Sequence, residues 1–560
     1  MYLIGIDVGG TFTDGTLIKS DTIVTSVKNP TDNTNIGSSL FKTLDQLLTN
    51  ISDLNLIERV VMSTTAVTNL IATEKTEPTA LVLLPGHGLP LSYYEIGDNC
   101  HFLQGAIDFR GNITEEISLS EIKDTIKDIK NQGIKRIAIA GKFSNRNNEH
   151  EVLVKELFAT DYPKALVLIS SEISNQLNFR RRAATTFFTA LIYHEWQNFV
   201  EHVQKAVKSR GISAEVQVLK ADGGTMPLEI SRTLPCQTIY SGPAASTMGG
   251  VALTMDQENS VVIDIGGTTT DLSLVIEGEP LYASKGATIN EHYTHVDAFS
   301  LTSLPIGGDS KIDFIDKGIE ILNREDFALC FGGQHLTVTD VFNVSYDLKI
   351  GDYKKSIKAL DDFASQHNSS SENLAQEVID QVIGRLETAI TNMFTKWEQE
   401  PAYKVWEVVN ERKFKLHRII GIGAASTAIV PVLAKRLGVE YFLNEHSQVA
   451  NAIGTAVVRP TVNISLHVDT QNRFYTTHPS GQFGKIKNPA KFRLEDAKNL
   501  ATEHLDSILK ERNMANYEGE AVFYMEEQFN VIRGWDTTGK IFDIGIQVKP
   551  GFIPEFMGVK

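Results

Sequence analysis

The sequence predicts an α/β protein made of two duplicated lobes facing each other across a cleft, followed by a small α+β domain. Three features carry that prediction: a hairpin motif that occurs twice, an alternation of strand-like and helix-like runs between the copies, and a change of character after Arg459-Pro460. The hairpin Ile6-Asp-Val-Gly-Gly-Thr-Phe-Thr-Asp14 returns as Ile263-Asp-Ile-Gly-Gly-Thr-Thr-Thr-Asp271, identical at seven of nine positions and 257 residues on. Apolar or β-branched residues flank both copies, so each reads as strand, Gly-Gly turn, strand. One spacing that long is a duplicated domain and not a solenoid period.

Between the copies, strand-like runs fall at Arg59–Met62, Ala80–Leu84, Ile137–Ala140 and Ala165–Ile169. Helix-like stretches run over Ser118–Gln132, Glu149–Thr160 and, as one long element, Ala183–Ser209; Leu374–Trp397 is a further one. Ser118-Leu-Ser-Glu121 has capping-box spacing, and Gly133 stands where a helix C-terminus wants glycine. The predicted boundaries are 1–178 for the first lobe, 179–460 for the second and 461–560 for the α+β tail, whose last hundred residues are a normal small-domain length.

Composition narrows the partners. The 560 residues are 42% hydrophobic and 22% charged, ordinary for a globular protein, and no apolar run approaches the roughly 20 residues of a membrane span. The formal charge, 53 − 69 = −16, repels phosphate backbones and argues against nucleic acid as a partner. Arg180-Arg181-Arg182 is a short basic run inside a helix-like segment, expected to form a solvated face or an ion pair. Cys100, Cys236 and Cys330 are odd in number and far apart, which excludes a disulfide framework and argues against a thiolate metal or iron–sulfur site. The start, Met1-Tyr-Leu-Ile-Gly-Ile-Asp7, reads as a strand without a basic n-region, so a cytoplasmic location is expected.

The hairpins carry the chemistry. Paired glycines, Gly9-Gly10 and Gly266-Gly267, let the backbone turn sharply and approach a ligand with no Cβ in the way. Successive N–H groups in such a turn form a nest for phosphate oxygens. Hydroxyls of Thr11, Thr13, Thr268 and Thr269 add donors, and Asp7 and Asp264, each ending a strand, are placed to hold waters of hydrated Mg²⁺. Neither GxxxxGK[ST] nor a GxGxxG with its acidic partner occurs. A third glycine-rich element, His417-Arg-Ile-Ile-Gly-Ile-Gly-Ala-Ala-Ser-Thr427, reads as strand, turn and helix start. Gly421, Gly423 and Ala424 there allow either a flat purine against backbone or close strand–helix packing.

Two phosphate hairpins and a late Gly-x-Gly-Ala element resemble the superfamily of actin, sugar kinases and the heat-shock chaperone ATPase. Pro305-Ile-Gly-Gly-Asp-Ser310, with Gly307 and Gly308, is similar to that superfamily's loop after the second hairpin, and Val449–Thr455 to its closing helix. Within it, the string Asp7–Asp14, Ser63-Thr-Thr-Ala-Val-Thr-Asn69, Phe143–Glu151, Ala221-Asp-Gly-Gly224, Ser241-Gly-Pro-Ala-Ala245, Asp264–Asp271, Leu329-Cys-Phe-Gly-Gly333 and Leu336-Thr-Val-Thr-Asp340 resembles the hydantoinase/oxoprolinase family, ATP-dependent openers of cyclic amides. The string spans roughly residues 1–460.

The resemblance implies ribonuclease-H-like lobes of the actin-like ATPase fold, each with a mixed five-stranded sheet, and Mg·ATP between them. It implies activation of a ring carbonyl by phosphorylation, with Asp7 and Asp264 organising the metal and Asp264 orienting the attacking oxygen. It also implies a hydrolytic partner subunit of the hydantoinase B type and an oligomer. Thr64, Thr65, Asn69, Asp222 and Ser241 sit in matching segments without phosphate-loop chemistry. They are assigned to the ring substrate, with turn and cap roles as the other reading. His292, His295 and Asp297 are metal ligands by type, though that spacing in a loop more often serves local hydrogen bonds. The competing functions are an ATP-dependent ketone carboxylase subunit and, outside enzymes, a chaperone-like ATPase module. Two departures, Pro305–Ser310 in place of a Gly-Ala-Gly-Gly-Gly-Ser loop and a shortened tail, bear on substrate and assembly.

Overall fold

Tyr2–Val8 is almost wholly buried because neighbours cover it on both edges and both faces. It pairs antiparallel with Phe12–Lys19 and parallel with Ile57–Thr64, so the first hairpin sits at the C-terminal edge of a sheet. The full order is Thr225–Pro227, Glu215–Leu219, Ile57–Thr64, Tyr2–Val8, Phe12–Lys19, Thr22–Pro30. This computed structural model describes residues 1–32, 36–72, 76–315, 318–399, 415–479, 481–512, 514–534 and 536–559.

The second copy builds a matching sheet. Ser260–Ile265 pairs antiparallel with Thr270–Ile276 and parallel with Arg418–Ile422, which in turn pairs with Glu440–Phe442. Both sheets have six strands where five are expected, and the extra strand arises differently in each. In the first, Glu215–Leu219 doubles back as Thr225–Pro227 through a turn at Gly223, whose φ of 79° suits glycine. In the second, the outer edge of Thr270–Ile276 is too long for one short partner. Leu301–Leu304 covers one half and Glu279–Pro280 the other.

Residues between the first sheet's strands form a separate four-stranded sheet, ordered Leu166–Ile169, Arg136–Gly141, Thr79–Leu84, Cys100–Phe102. Its core includes Val82, Ile137, Ile139, Ile122, Ile126 and Phe158. The tail adds a five-stranded antiparallel sheet covered by the helix Leu494–Glu511. Alternation in Val462–Asp469 sends Val462, Ile464, Leu466 and Val468 onto Ala497, Ala501 and Leu505. The chain then returns to the first lobe, where Ile553 and Phe556 pack with Leu3 and Ile18.

Two helices, Ser241–Thr254 and Ala450–Val457, lie against the first strand, backbone on backbone. A Cβ on Gly5 would come 2.1 Å from the Ala452 carbonyl oxygen, and one on Gly249 2.0 Å from that of Ala450. This closeness brings Asn451 and Thr455 to the end of Tyr2–Val8.

The predicted long helix over Ala183–Ser209 is two helices, Phe179–Leu191 and Tyr193–Ser209. The buried Arg136 guanidinium takes the Leu191 carbonyl, which marks the break, and also pairs with Glu195 at 2.8 Å. The basic run departs from a solvated face too. Arg182 is buried and donates to Ser170 Oγ at 3.0 Å, to the Gln176 carbonyl at 2.5 Å and to the Gly141 carbonyl at 2.6 Å. Arg181 donates to the Thr294 carbonyl. These cations tie segments together from inside, which a run of like charges does not advertise. Among the described residues no helix is long and apolar enough to cross a membrane, and the three cysteines are free thiols.

Candidate functional site

The duplication extends to atomic detail. In the first hairpin Gly9 N donates to the Phe12 carbonyl at 3.0 Å, and in the second Gly266 N donates to that of Thr269 at 3.0 Å. Asp7 lies opposite Asp14 in register, and Asp264 opposite Asp271. Backbone N–H groups of Thr11, Gly267 and Thr268 have no hydrogen-bond partner among the described residues, as an anion nest requires. The loop at 307–309 braces the second turn from behind. Gly308 N donates to the Gly266 carbonyl and Asp309 N to that of Gly267, both at 2.9 Å. A Cβ on Gly307 would lie 2.5 Å from Gly267 backbone atoms, so only glycine allows this approach.

The strand-end carboxylates are held differently. Asp7 is buried; Ser63 Oγ donates to Oδ1 at 2.6 Å and Asn451 Nδ2 to Oδ2 at 2.7 Å. Burial raises its carboxyl to about 7, against those hydrogen bonds and reinforced by the charges of Asp14 and Asp264. Asp264 is half-buried and accepts from Ser246 Oγ at 2.5 Å through Oδ2. Its carboxyl also lies above the ordinary range, through lost hydration opposed by Ser246 and Lys28. Carboxylates from the two lobes therefore sense one another. Lys28 Nζ donates to both oxygens of Asp14 at 2.8 Å and lies close enough to favour a charged Asp264.

Arg324, at the end of the strand Gly318–Arg324, joins the halves. It donates to Thr11 Oγ1 of the first hairpin at 2.8 Å, and its Nε is 3.6 Å from Asp309 Oδ2. A Cβ on Gly267 would stand 3.5 Å from its terminal nitrogen. One guanidinium thus faces both turns.

The remaining expected residues divide. Thr13 is fully buried and shares a hydrogen bond with Thr31, so its hydroxyl is engaged inside the lobe. Thr268 is exposed and Thr269 half-buried at the turn. Gly421 is buried against Val430 and Leu443, the packing geometry named above. Gly423, with φ 83°, abuts the second hairpin, where a Cβ would lie 2.6 Å from Asp264 Oδ1; Ala424 beside it is exposed. Thr64 and Ser241 clasp each other: Thr64 N donates to Ser241 Oγ at 3.3 Å, and Ser241 Oγ to the Thr64 carbonyl at 2.9 Å. Thr65 and Asn69 border the first turn, with Asn69 Nδ2 3.1 Å from where a Gly10 Cβ would be. Asp222 is elsewhere, at the far edge of the first sheet, paired with Lys220 at 2.8 Å.

His292, His295 and Asp297 do not converge. His295 Nδ1 pairs with Ser174 at 2.5 Å, Asp297 accepts from Asn463, and no group of three metal-ligating side chains forms among the described residues. Sequence reasoning passed over Ser63, Ser246, Asn451, Lys28 and Arg324. Ser63 and Asn451 lie inside segments quoted for the resemblance, whereas Lys28 and Arg324 belong to no motif.

The geometry can be set beside known proteins. Residues 182–463 match the Hydantoinase/oxoprolinase family and residues 3–161 the Hydantoinase/oxoprolinase N-terminal region. Caprolactamase subunit alpha of Pseudomonas jessenii is 25% identical over 379 residues, 60% of this chain and 53% of that protein. A nucleotide-free acetone carboxylase structure superposes with a TM-score of 0.72 at 17% identity, covering 99% of this chain and 88% of that one. The ATP-dependent caprolactamase of Pseudomonas jessenii superposes with a TM-score of 0.68 at 18% identity, covering 97% and 87%. The two lobes therefore have the actin-like ATPase fold. The chain spans about half the length of the curated relatives it matches.

Proposed function

The chain belongs to the hydantoinase/oxoprolinase family, and on that footing we propose that it is the ATP-using subunit of a cyclic amide hydrolase. The observation that supports this most is Arg324, which lies against Thr11 of one phosphate hairpin and Gly267 of the other while pairing with Asp309. Uncapped N–H groups and glycine turns suit a polyphosphate, and the guanidinium fork suits its charge.

Mg²⁺ fits the donor set in a limited way. It keeps most of its waters and needs only one or two carboxylates. Asp264 has an oxygen without a hydrogen-bond donor, whereas both oxygens of Asp7 are engaged. Asp264 would hold the hydrated ion and Asp7 its waters, the ion supplying neutralisation of phosphate charge.

An amide carbonyl is a poor electrophile because nitrogen donates into it. Transfer of the γ-phosphoryl group to the carbonyl oxygen leaves ADP and a phosphorylated imidate. Water adds to that carbon, and the ring nitrogen takes a proton and departs, so that the C–N bond breaks and an acyl phosphate forms. A second water releases phosphate to leave the open-ring carboxylate. Positioning and charge neutralisation do most of the work in phosphoryl transfer. Here Arg324 would meet the transferring group, Asp264 would orient the attacking oxygen, and Thr65 and Asn69 at the first turn would contact the ring. A separate hydrolytic subunit would complete the opening; the caprolactamase relative is itself named as a subunit.

The likeness to acetone carboxylase favours a second reading, transfer to a ketone-derived oxygen followed by carboxylation. The test is an ATP-turnover screen across lactams, hydantoins and oxoproline, with and without the hydrolytic subunit, scoring phosphate and open-ring product. Phosphate release stimulated by a cyclic amide supports the proposal. Stimulation only by a ketone, with labelled bicarbonate entering the product, replaces it with the second reading. Stoichiometric open-ring product from the single chain removes the need for a partner.

A further inference from the structure

Three features left over by the proposed function meet in one place. Asp222 of the Ala221–Gly224 segment, the His295–Asp297 loop and the C-terminal domain enclose a cavity of about 50 Å³. It lies beyond Glu215–Leu219, separated from the first hairpin's strand by Ile57–Thr64.

Most of its polar groups are already satisfied. Lys220 and Asp222 cancel each other at 2.8 Å, and Asp222 also accepts from Gly224 N at 2.9 Å and Thr461 Oγ1 at 3.2 Å. Asp297 accepts from Asn463 Nδ2 at 3.0 Å, and Tyr524 Oη donates to Asn463 Oδ1 at 2.8 Å. Two groups remain. His478 Nδ1 is buried without a partner. The Arg512 guanidinium, half-buried in the cavity wall, makes no ion pair or side-chain hydrogen bond among the described residues. A guanidinium does not shed its proton under ordinary conditions, so a recessed one calls for an anion.

We propose that this cavity binds a short-chain monocarboxylate, held by the Arg512 fork, with its alkyl end against Met226, Leu234 and Ile508. The planar fork matches a carboxylate with two parallel hydrogen bonds. Asp297, which pairs with no cation among the described residues, would repel a dianion such as phosphate more than a monoanion. Size points the same way: the space of about 50 Å³ is small, which favours a short-chain acid over a long one. The C-terminal domain supplies Arg512, His478 and Asn463, and so forms one wall of this site.

The test uses the full chain without nucleotide, so it is independent of the phosphoryl-transfer reading. Acetate, acetamide and inorganic phosphate are titrated at matched ionic strength against chloride, followed by calorimetry and unfolding temperature. Saturable binding of acetate alone is expected. R512A should weaken it about tenfold or more, the scale of a lost charge-assisted hydrogen bond. R512K should retain part of it, and I508F, which fills the space, should abolish it. Cooperative unfolding checks that each variant folds. Absence of saturable acetate binding, equal binding of acetamide, or acetate binding that survives both R512A and I508F overturns the proposal.

Discussion

The two hairpins share seven of nine residues, the same register and the same 3.0 Å turn bond, yet their carboxylates live in different surroundings. In the first, Lys28 neutralises Asp14, and Ser63 and Asn451 occupy both oxygens of Asp7. In the second, no cation pairs with Asp271 among the described residues; burial raises it to about 6 against a hydrogen bond from Ser303. Asp264 keeps an oxygen free of donors. Duplication preserved the backbone of the turn, and the neighbours of the two carboxylates differ. On the proposed function, the first hairpin would be a braced support and the second would present the reactive carboxylate.

If so, Asp264→Asn should slow ATP turnover about 10²–10³-fold, whereas Asp7→Asn should cost about tenfold. Steady-state phosphate release measures both, and the reverse order breaks the comparison. Arg324→Ala should follow at about 10²-fold, with Arg324→Lys recovering part, because the bridge needs both charge and fork geometry. An unchanged kcat in both Arg324 variants would leave that bridge structural.

Stability sharpens the contrast at smaller scale. Lys28→Met leaves the buried Asp14 without its cation and should cost about 3 kcal/mol in chemical denaturation. Ser303→Ala beside Asp271 removes one hydrogen bond and should cost about 1 kcal/mol. Equal losses would mean that the two hairpins are not differently supported. The smallest effect is in pH. Asp7 near 7 holds a proton in the folded state that the unfolded chain releases near the ordinary carboxyl value. Its burial therefore costs nothing at low pH and progressively more as pH rises toward 7. Unfolding temperature of the nucleotide-free wild type should fall relative to Asp7→Asn as pH rises from about 4 to 7. A constant difference across that range would contradict the raised carboxyl.

The hairpins, the third glycine element and the tail's character were legible because turn chemistry and periodicity are local. The outer strands were not. Leu301–Leu304 and Glu279–Pro280 are short, and an edge needing cover defines them more than their own composition. Ala183–Ser209 reads as one helix because the break at Leu191 involves Arg136, 55 residues away. Arg324 lies 313 residues from Thr11, and nothing near it in sequence signals a phosphate. Asp222 sits in a segment that reads as part of the substrate site, but Glu215–Leu219 carries it to the sheet's far edge.

The central claim is that both lobes grip one polyphosphate across the cleft. The direct measurement is the unfolding transition of the full chain with saturating Mg·ATP, ADP or AMP. At about 100 times its dissociation constant, Mg·ATP should add about 2.7 kcal/mol to a transition in which the lobes unfold together, and AMP, lacking the outer phosphates, should add little. Stabilisation by AMP equal to that by Mg·ATP, or a shift confined to one lobe, would contradict the account.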